Sequence, residues 1–566
     1  MKWCSVISAC LGFAATAQAA TAWQQRNETF AVADAPLGVF SNFTSKADAV
    51  ASLELTLNSS KISRQGDFRY GQTIARIWTE QRKIWPELIL YPENTVDVSV
   101  IMQFYSAAHT YWGDNGFAIM GGGHADFGGA QSPSVIIDLH KFGQTEFTSG
   151  ANVSSTSPST SWPILKVGGG NEAGDVYSLL EGTGWAFLGP RAASIGVGGF
   201  LLGGGIAFQT NKYGIANDNL VGLEVVLLDG QVIYANPYNE YSDLFWACTG
   251  AGWMGVGVIT HFYIQAYPDP GVVYTATIDW AEDQAPHVFQ QTTDFFETNE
   301  DPDAFPALLY YYKDPQEPNA VVPLREREFV FQLNAVYFGG NETILNNTFA
   351  SFYEGASSIA IQEWTLKSLD QYLLTNYPYG YQRIFYGKSH THSTVDFYNQ
   401  TFAIYKDTIY GMIARGEDPG HTIWVDEYVR QDLLPGLNGN LPASDSDTAW
   451  PHSTSAHITL TSAEWTNHTN QAYIYDREEN HMMAYLRDFE KTLGEPAIYD
   501  YPNYLAPFSV ASEVWGEDNF ARLLEIKSKY DPQCLFNRGR VFATTACVDK
   551  GLATTWVDKS VGGLIQ

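Results

Sequence analysis

Phe117-Ala118-Ile119-Met120-Gly121-Gly122-Gly123-His124 is a short apolar run that passes, with no polar residue between, into three glycines and a histidine. Four apolar residues bounded by glycine fit a buried strand. Glycines directly after it let the backbone approach a ligand and turn N–H groups onto an anion. The loop continues Ala125-Asp126-Phe127-Gly128-Gly129, and Val135-Ile136-Ile137-Asp138-Leu139 predicts the next strand. Upstream, Leu88-Ile89-Leu90-Tyr91 is another short apolar strand ended by Pro92. Asn94 or Thr95 can cap a helix to about His109, with Val98, Ile101, Met102 and Tyr105 on one face.

A similar unit follows. Strand Ile164-Leu165-Lys166-Val167 runs into Gly168-Gly169-Gly170 and then a helix with Val176, Leu179 and Leu180. Beyond it lies a second glycine cluster, Gly196-Val197-Gly198-Gly199-Phe200-Leu201-Leu202-Gly203-Gly204-Gly205. Two such loops suit a clamp on one pyrophosphate, and each serves equally well as a tight turn. Neither ends in Gly-Lys-Ser/Thr, and neither opens a helix as G-x-G-x-x-G, so triphosphate P-loops and nicotinamide fingerprints are disfavoured. The βαβ-like units predict sheets covered by helices.

After about Pro268 the pattern changes. Phe329-Val330-Phe331-Gln332-Leu333 and Ala456-His457-Ile458-Thr459-Leu460 are extended aromatic or alternating segments among helical stretches, as in an antiparallel sheet with helices. From about Tyr501 the pattern reverts, and Phe520 to Lys529 predicts an amphipathic helix closed by Asp531-Pro532.

The 566 residues exceed what one hydrophobic core supports, so several domains are expected. A formal charge of −30 argues against a nucleic-acid partner. Lys2, the apolar run Val6–Ala15 and the small-x-small site Ala17-Gln18-Ala19 predict a secretory signal, and no later stretch reaches the roughly 20 apolar residues needed to span a bilayer. Without Cys4 and Cys10 of the signal, Cys534 and Cys547 can close a short disulfide loop, leaving Cys248 as a small buried hydrophobe. Sequons at Asn27, Asn42, Asn58, Asn152, Asn341, Asn346, Asn399 and Asn467 favour a glycosylated, extracellular surface. His390 and His392 would share a strand face, but no third ligand stands at a recognisable spacing. Surface histidines are therefore expected and no metal site.

Taken in order, several segments resemble the vanillyl-alcohol oxidase/berberine-bridge-enzyme group of FAD-linked oxidases. They are the strand-GGGH loop, Gly196–Gly205, Lys212-Tyr213-Gly214 with Asp218-Asn219, and Val225-Val226-Leu227-Leu228-Asp229-Gly230. Asp243-Leu244-Phe245-Trp246-Ala247 continues the series. Tyr501-Pro502-Asn503-Tyr504 and Tyr530-Asp531-Pro532 with Phe536 resemble the C-terminal berberine-bridge motif. The resemblance implies an α+β chain: a two-subdomain FAD-binding module of the PCMH type plus a substrate domain with an antiparallel sheet flanked by helices. The expected boundaries are 1–19 signal, 20–80 N-terminal segment, 81–267 FAD-binding domain, 268–499 substrate domain, 500–548 C-terminal segment returning to the FAD domain, and 549–566 tail.

The resemblance further implies that His124 bonds to the flavin 8α-methyl carbon. It places Gly121, Gly122, Gly123, Gly128, Gly129, Gly196, Gly198, Gly199, Gly203, Gly204, Gly205, Ile259 and Asn503 at the cofactor. Ala192, in Arg191-Ala192-Ala193-Ser194-Ile195-Gly196, replaces the cysteine that gives some relatives a second tether. Met120 stands where many have arginine, and Trp253 makes the Gly250–Ile259 segment bulkier. Tyr501 is the expected base, taking the substrate's proton as hydride leaves for the flavin. His452, in Thr448-Ala449-Trp450-Pro451-His452, is expected to orient substrate, and Glu427 is a further acid/base candidate. The implied partners are a small molecule and molecular oxygen. The 33 Tyr and 16 Trp suit either a sugar or a planar metabolite.

Overall fold

The computed structural model describes residues 32–40, 43–113, 116–126, 129–148, 162–313, 323–374, 378–430, 444–454, 457–493, 498–506, 508–538, 542 and 544–549. The expected signal, the sequons at Asn27, Asn42 and Asn152, Gly128, and all but the first residue of the tail lie outside the described residues.

The run quoted above is the edge of a four-stranded sheet ordered Ile62–Ser63, Leu88–Leu90, Val135–Asp138, Phe117–Met120. The last three strands are parallel, and Ile62–Ser63 is antiparallel to its neighbour. Helix Thr95–Ala108 starts where the Asn94 side chain accepts the Asp97 N–H, and it buries Val98, Ile101, Met102 and Tyr105 against this sheet.

The second glycine unit behaves differently. Ile164–Gly168 lies between Thr145–Phe147 and Val258–Gln265, antiparallel to both, in a five-stranded sheet completed by Leu220–Val226 and Val232–Ala235. Its helix, Ala173–Leu180, has eight residues. A parallel return needs a crossover of a dozen or more. The chain instead leaves through Trp185–Ala186, which pairs with Tyr267–Pro268. Leu179 faces solvent on this helix, while Val176 and Leu180 are buried.

Seven antiparallel strands form the third sheet, in the order Ser358–Trp364, Val273–Ala281, Glu328–Phe338, Ala304–Lys313, Ile423–Glu427, His457–Trp465, Gln382–His390. Strand alternation sorts its side chains. Leu308, Tyr310, Trp424 and Tyr386 point to helices Ala285–Thr298 and Val395–Ala414, whereas Leu309 and Val425 point to the glycine-bearing sheets. The segment after Tyr501 returns to the first two sheets through Ala511–Tyr530. This is two helices joined at Gly516 (φ 67°), the second of them the helix expected from Phe520.

Cys534 and Cys547 are disulfide-bonded, and Cys248 is free and buried. His390 departs from expectation. The strand ends on it, and its Nε2 lies 3.0 Å from both Asp426 Oδ1 and Thr459 Oγ1 in the sheet's interior. His392 lies past the strand end, half-exposed against Glu297. Among the described residues no cluster of His, Cys, Asp or Glu could hold a metal ion, and no helix is long and apolar enough to cross a membrane.

His457 is buried between Tyr428 and Phe296, its Nδ1 without a partner, and burial pushes its pKa down to about 3. The unfolded chain takes up this proton below about pH 6.5 while the folded chain does not, so stability falls as pH drops from there toward 3. At pH 4.5 this one group should cost about 2–3 kcal/mol relative to pH 8. His457→Phe should flatten that slope in denaturant midpoints measured at the two pH values.

Candidate flavin site

One cavity of about 290 Å³ lies where the three sheets meet. Gly121–Asp126 with Gly129, Arg191–Gly199, Gly252–Ile259, the Tyr501–Tyr504 turn and Phe536–Arg538 all contribute to its wall, with Trp78 and Phe385 at one end. The two glycine clusters touch there. A Cβ on Gly122 would lie 2.3 Å from the Gly196 amide nitrogen, and one on Gly196 would lie 2.3 Å from that of Gly122. Only glycine at both positions permits this approach. Gly199 differs: a Cβ there would meet nothing within 4 Å.

Gly203, Gly204 and Gly205 do not line the cavity; they receive the C-terminal segment. A Cβ on Gly203 would strike the Asn503 side chain, and Gly204 (φ +112°) lies against Trp450 and Tyr501. Asn503 Nδ2 donates to the Phe200 carbonyl and to the Tyr501 phenol oxygen, both at 2.9 Å. That phenol oxygen also accepts the Gly205 N–H at 3.1 Å and the Ile206 N–H at 2.9 Å. Burial pushes Tyr501 up to about 12, against the pull of these three donors and of the Arg191 charge.

His124 forms the wall at the Trp78 end. Trp78 stacks on its ring at 4.9 Å between centroids, and Ser194 Oγ lies 2.7 Å from Nε2. Burial, reinforced by the nearby Arg383 cation, pushes its pKa down to about 3, so the imidazole is neutral through ordinary pH. Arg383 stands 3.7 Å over the Trp78 ring, donates to the Trp78 carbonyl at 3.0 Å, and pairs with Glu464 at 2.9 Å. A residue of the seven-stranded sheet thus fixes the indole on which the histidine rests.

Two expected acid/base residues lie one layer behind the wall. Glu427 is buried and ion-paired with Arg191 at 2.7 Å, and accepts from Tyr504 Oη at 3.3 Å. Arg191 and Tyr504, in contact at 2.6 Å, are the groups that reach the cavity. His452 faces a separate small pocket behind Trp450. Its Nε2 lies 2.8 Å from Asp218 Oδ1 and its Nδ1 2.6 Å from the Trp450 carbonyl. Burial opposes charging of His452, but the Asp218 carboxylate outweighs it and raises the pKa. With its two ring nitrogens against the Trp450 carbonyl and the Asp218 carboxylate, His452 pins its own loop.

The C-terminal motif has a local explanation. Asp531 accepts the Leu535 and Phe536 N–H groups at 2.8 and 2.9 Å and pairs with the fully buried Lys527 at 2.7 Å. Lys527 also donates to the carbonyls of Met254, Gly255 and Phe536 at 2.8–2.9 Å. This ties the Phe536 wall to the Gly252–Gly257 wall. Trp253 and Ile259 line that side, and Ala192, without a nucleophile, lines the other. Met120 is buried outside the cavity wall; Arg76, paired with Asp138 at 2.9 Å, supplies a cation to the Gly121 carbonyl instead.

A long glycine-walled cleft with a neutral histidine at one end and an aromatic, tyrosine-bearing end beside it fits a flavin dinucleotide. The family model described as "FAD binding domain" matches residues 86–236, and that described as "Berberine and berberine like" matches 500–538. This chain is an FAD-dependent oxidoreductase with an FAD-binding domain and a berberine-like C-terminal segment.

The oxidoreductase is 23% identical over 501 residues to the FAD-dependent monooxygenase sdcF of Emericella nidulans, covering 85% of this chain and 95% of that protein. In fold it is similar to BBE-like 1 of Physcomitrella patens, with a TM-score of 0.65 at 18% identity over 86% of this chain and 97% of that one. It is likewise similar to the xylooligosaccharide oxidase of Myceliophthora thermophila C1 in complex with xylobiose, with a TM-score of 0.66 at 16% identity over 87% and 99%.

Trp78, Arg191, Phe385, Tyr504 and Arg538 of the wall were not singled out as site residues from sequence. Arg191 and Tyr504 stand inside the quoted motifs, whereas Trp78 and Phe385 stand in segments with no motif. Gly196→Ala should lose the flavin and much of the folded yield. Gly199→Leu should keep the wild-type thermal midpoint and lose flavin at least tenfold, read from the absorbance of the purified protein.

Proposed function

We propose that the chain is a secreted oxidase that carries FAD covalently through His124 alone. It passes a hydride from an alcohol, hemiacetal or amine to that flavin, and molecular oxygen takes the electrons as hydrogen peroxide. The observation that carries this reading is a neutral, cavity-facing His124 at the same end of the cleft as Tyr501, Tyr504 and Arg191. FAD supplies the hydride acceptor; the protein orients it and handles the proton. Gly121–Gly123, Gly129, Gly196, Gly198, Gly199 and Ile259 would hold the dinucleotide, with Arg538 and Phe536 on the far wall. Ala192 at the cavity supports a single tether.

Tyr501 accepts the substrate proton in this reading. It does so as the phenolate, the form that the Asn503, Gly205 and Ile206 donors and the Arg191 charge favour while burial pushes its pKa up to about 12. Arg191, fixed by Glu427, adds a positive charge at the same end. Export is supported by the N-terminal sequence and by Asn58, Asn341, Asn399 and Asn467, all exposed on the surface.

The aromatic wall of Trp78, Phe385 and Tyr504 favours one second reading, a biosynthetic oxidase or cyclase acting on a planar polyketide or alkaloid. The E. nidulans relative, named a monooxygenase, points to a related outcome in which oxygen enters the product. Product analysis under labelled oxygen separates these from a peroxide-forming oxidase. A flavin-binding protein without turnover is separated by anaerobic bleaching with substrate and recovery in air.

Acid precipitation of protein made with ample riboflavin should leave a yellow pellet, and His124→Ala should leave a colourless one. A colourless wild-type pellet overturns the tether. Tyr501→Phe should retain flavin and lower the rate of flavin reduction by about 10²–10⁴ in stopped flow.

A further inference from the structure

We infer that Ser194 is a positioning residue for the flavin tether: its hydroxyl holds His124 Nε2 and thereby leaves Nδ1 as the nitrogen that bonds to the cofactor. This rests on the tether reading proposed above. Ser194 Oγ lies 2.7 Å from Nε2, on a side chain that is only 9% exposed. Among the described residues, Nδ1 has no hydrogen-bond partner in the protein, and the ring lies on the cavity wall. Ring contacts hold the orientation: Trp78 lies nearly parallel at 4.9 Å, and Tyr379 meets the ring edge-on at 6.2 Å.

A neutral imidazole carries its one hydrogen on either nitrogen, and its partners decide which. The Ser194 oxygen, 2.7 Å from Nε2, is an acceptor for a hydrogen there, so the inferred tautomer carries its hydrogen on Nε2. The Nδ1 lone pair is then available to form a bond to carbon. His124 is thus held by its neighbours in the manner of a metal-ligating histidine, whose second nitrogen is fixed by an outer partner.

The tethering step forms one bond from Nδ1 to the 8α-methyl carbon and breaks one C–H bond there. The two electrons released pass into the isoalloxazine and from it to molecular oxygen, giving hydrogen peroxide. Its two protons are the one lost from the methyl group and the one lost from Nε2. Ser194 lies on the exit path of the second. Without Ser194, a hydrogen on Nδ1 would leave the cavity-facing nitrogen without a lone pair.

The test uses wild type, Ser194→Ala and Ser194→Thr, each made with ample riboflavin. In-gel flavin fluorescence after denaturation reads the covalent fraction, and NMR of the isolated flavin-histidine fragment identifies the bonded nitrogen. The wild-type bond should be at Nδ1. Ser194→Ala should keep dissociable FAD and the wild-type thermal midpoint, with the covalent fraction at least tenfold lower; Ser194→Thr should restore it. A wild-type bond at Nε2, or Ser194→Ala loaded as fully as wild type, overturns the inference while leaving the tether intact. A wild type with no covalent flavin overturns both. The wild-type linkage needs no variant, so a Ser194→Ala chain that fails to fold does not remove the test.

Discussion

Gly122, in the loop after strand Phe117–Met120, and Gly196, at the start of helix Val197–Leu202, meet backbone to backbone, with no room for a Cβ between them. That contact brings the end of a parallel sheet against a loop of an antiparallel one, and the cavity is the space left beside it. The rest of the molecule is arranged around keeping it. The Tyr501–Tyr504 turn presses Asn503 into Gly203 and Tyr501 against Gly204 and Gly205, so the second cluster is gripped from the far side. Lys527 and Asp531 bind the last wall to the Gly252–Gly257 segment through backbone carbonyls and amides. Backbone contacts of this kind depend on small side chains and fixed turns more than on particular functional groups.

Electrostatics divide the site into wall and support. His124 stays neutral because burial and the Arg383 charge both disfavour a second proton. Arg383 pairs with Glu464 in the seven-stranded sheet, so that sheet helps set the protonation of the histidine after the Gly121–Gly123 loop. Glu427 plays the corresponding part for Arg191. Its own burial raises its pKa, Arg191 offsets this, and Tyr504 shares the contact. The charge presented to the cavity is therefore the arginine's, with the carboxylate one layer away. His452 and Asp218 form a further internal pair behind Trp450, which holds the loop that backs Tyr501.

Much of the cavity was legible in the chain because its wall is made of contiguous motifs. His124 with Gly121–Gly123, Gly196–Gly199, and Asn503 with Tyr501 each stand in a segment whose composition is unusual for local reasons. Trp78 and Phe385 carry no such signature. Each is one aromatic residue among many, and each reaches the cavity only because its own segment is anchored by Arg383 or by the strand pairing of Gln382–His390. The reading of His390 as a surface residue failed for a related reason: strand alternation does not reveal that Asp426, two strands away across His457–Trp465, lies there to receive it. The second glycine unit looked like the first in sequence, yet its short helix led to antiparallel pairing.

From the sequence alone came the existence and type of most elements, the two glycine turns, the position of the histidine after the first of them, and the absence of a thiol at Ala192. These are local properties, set by apolar period, by residues that can or cannot cap, and by which side chains carry a nucleophile. The tertiary structure decided which groups share the cavity: Arg191 and Tyr504 at its wall, Glu427 and His452 behind it, Ser194 on the imidazole. These assignments depend on the direction each side chain takes when distant segments pack, and on burial, which fixes protonation only after the neighbours are in place.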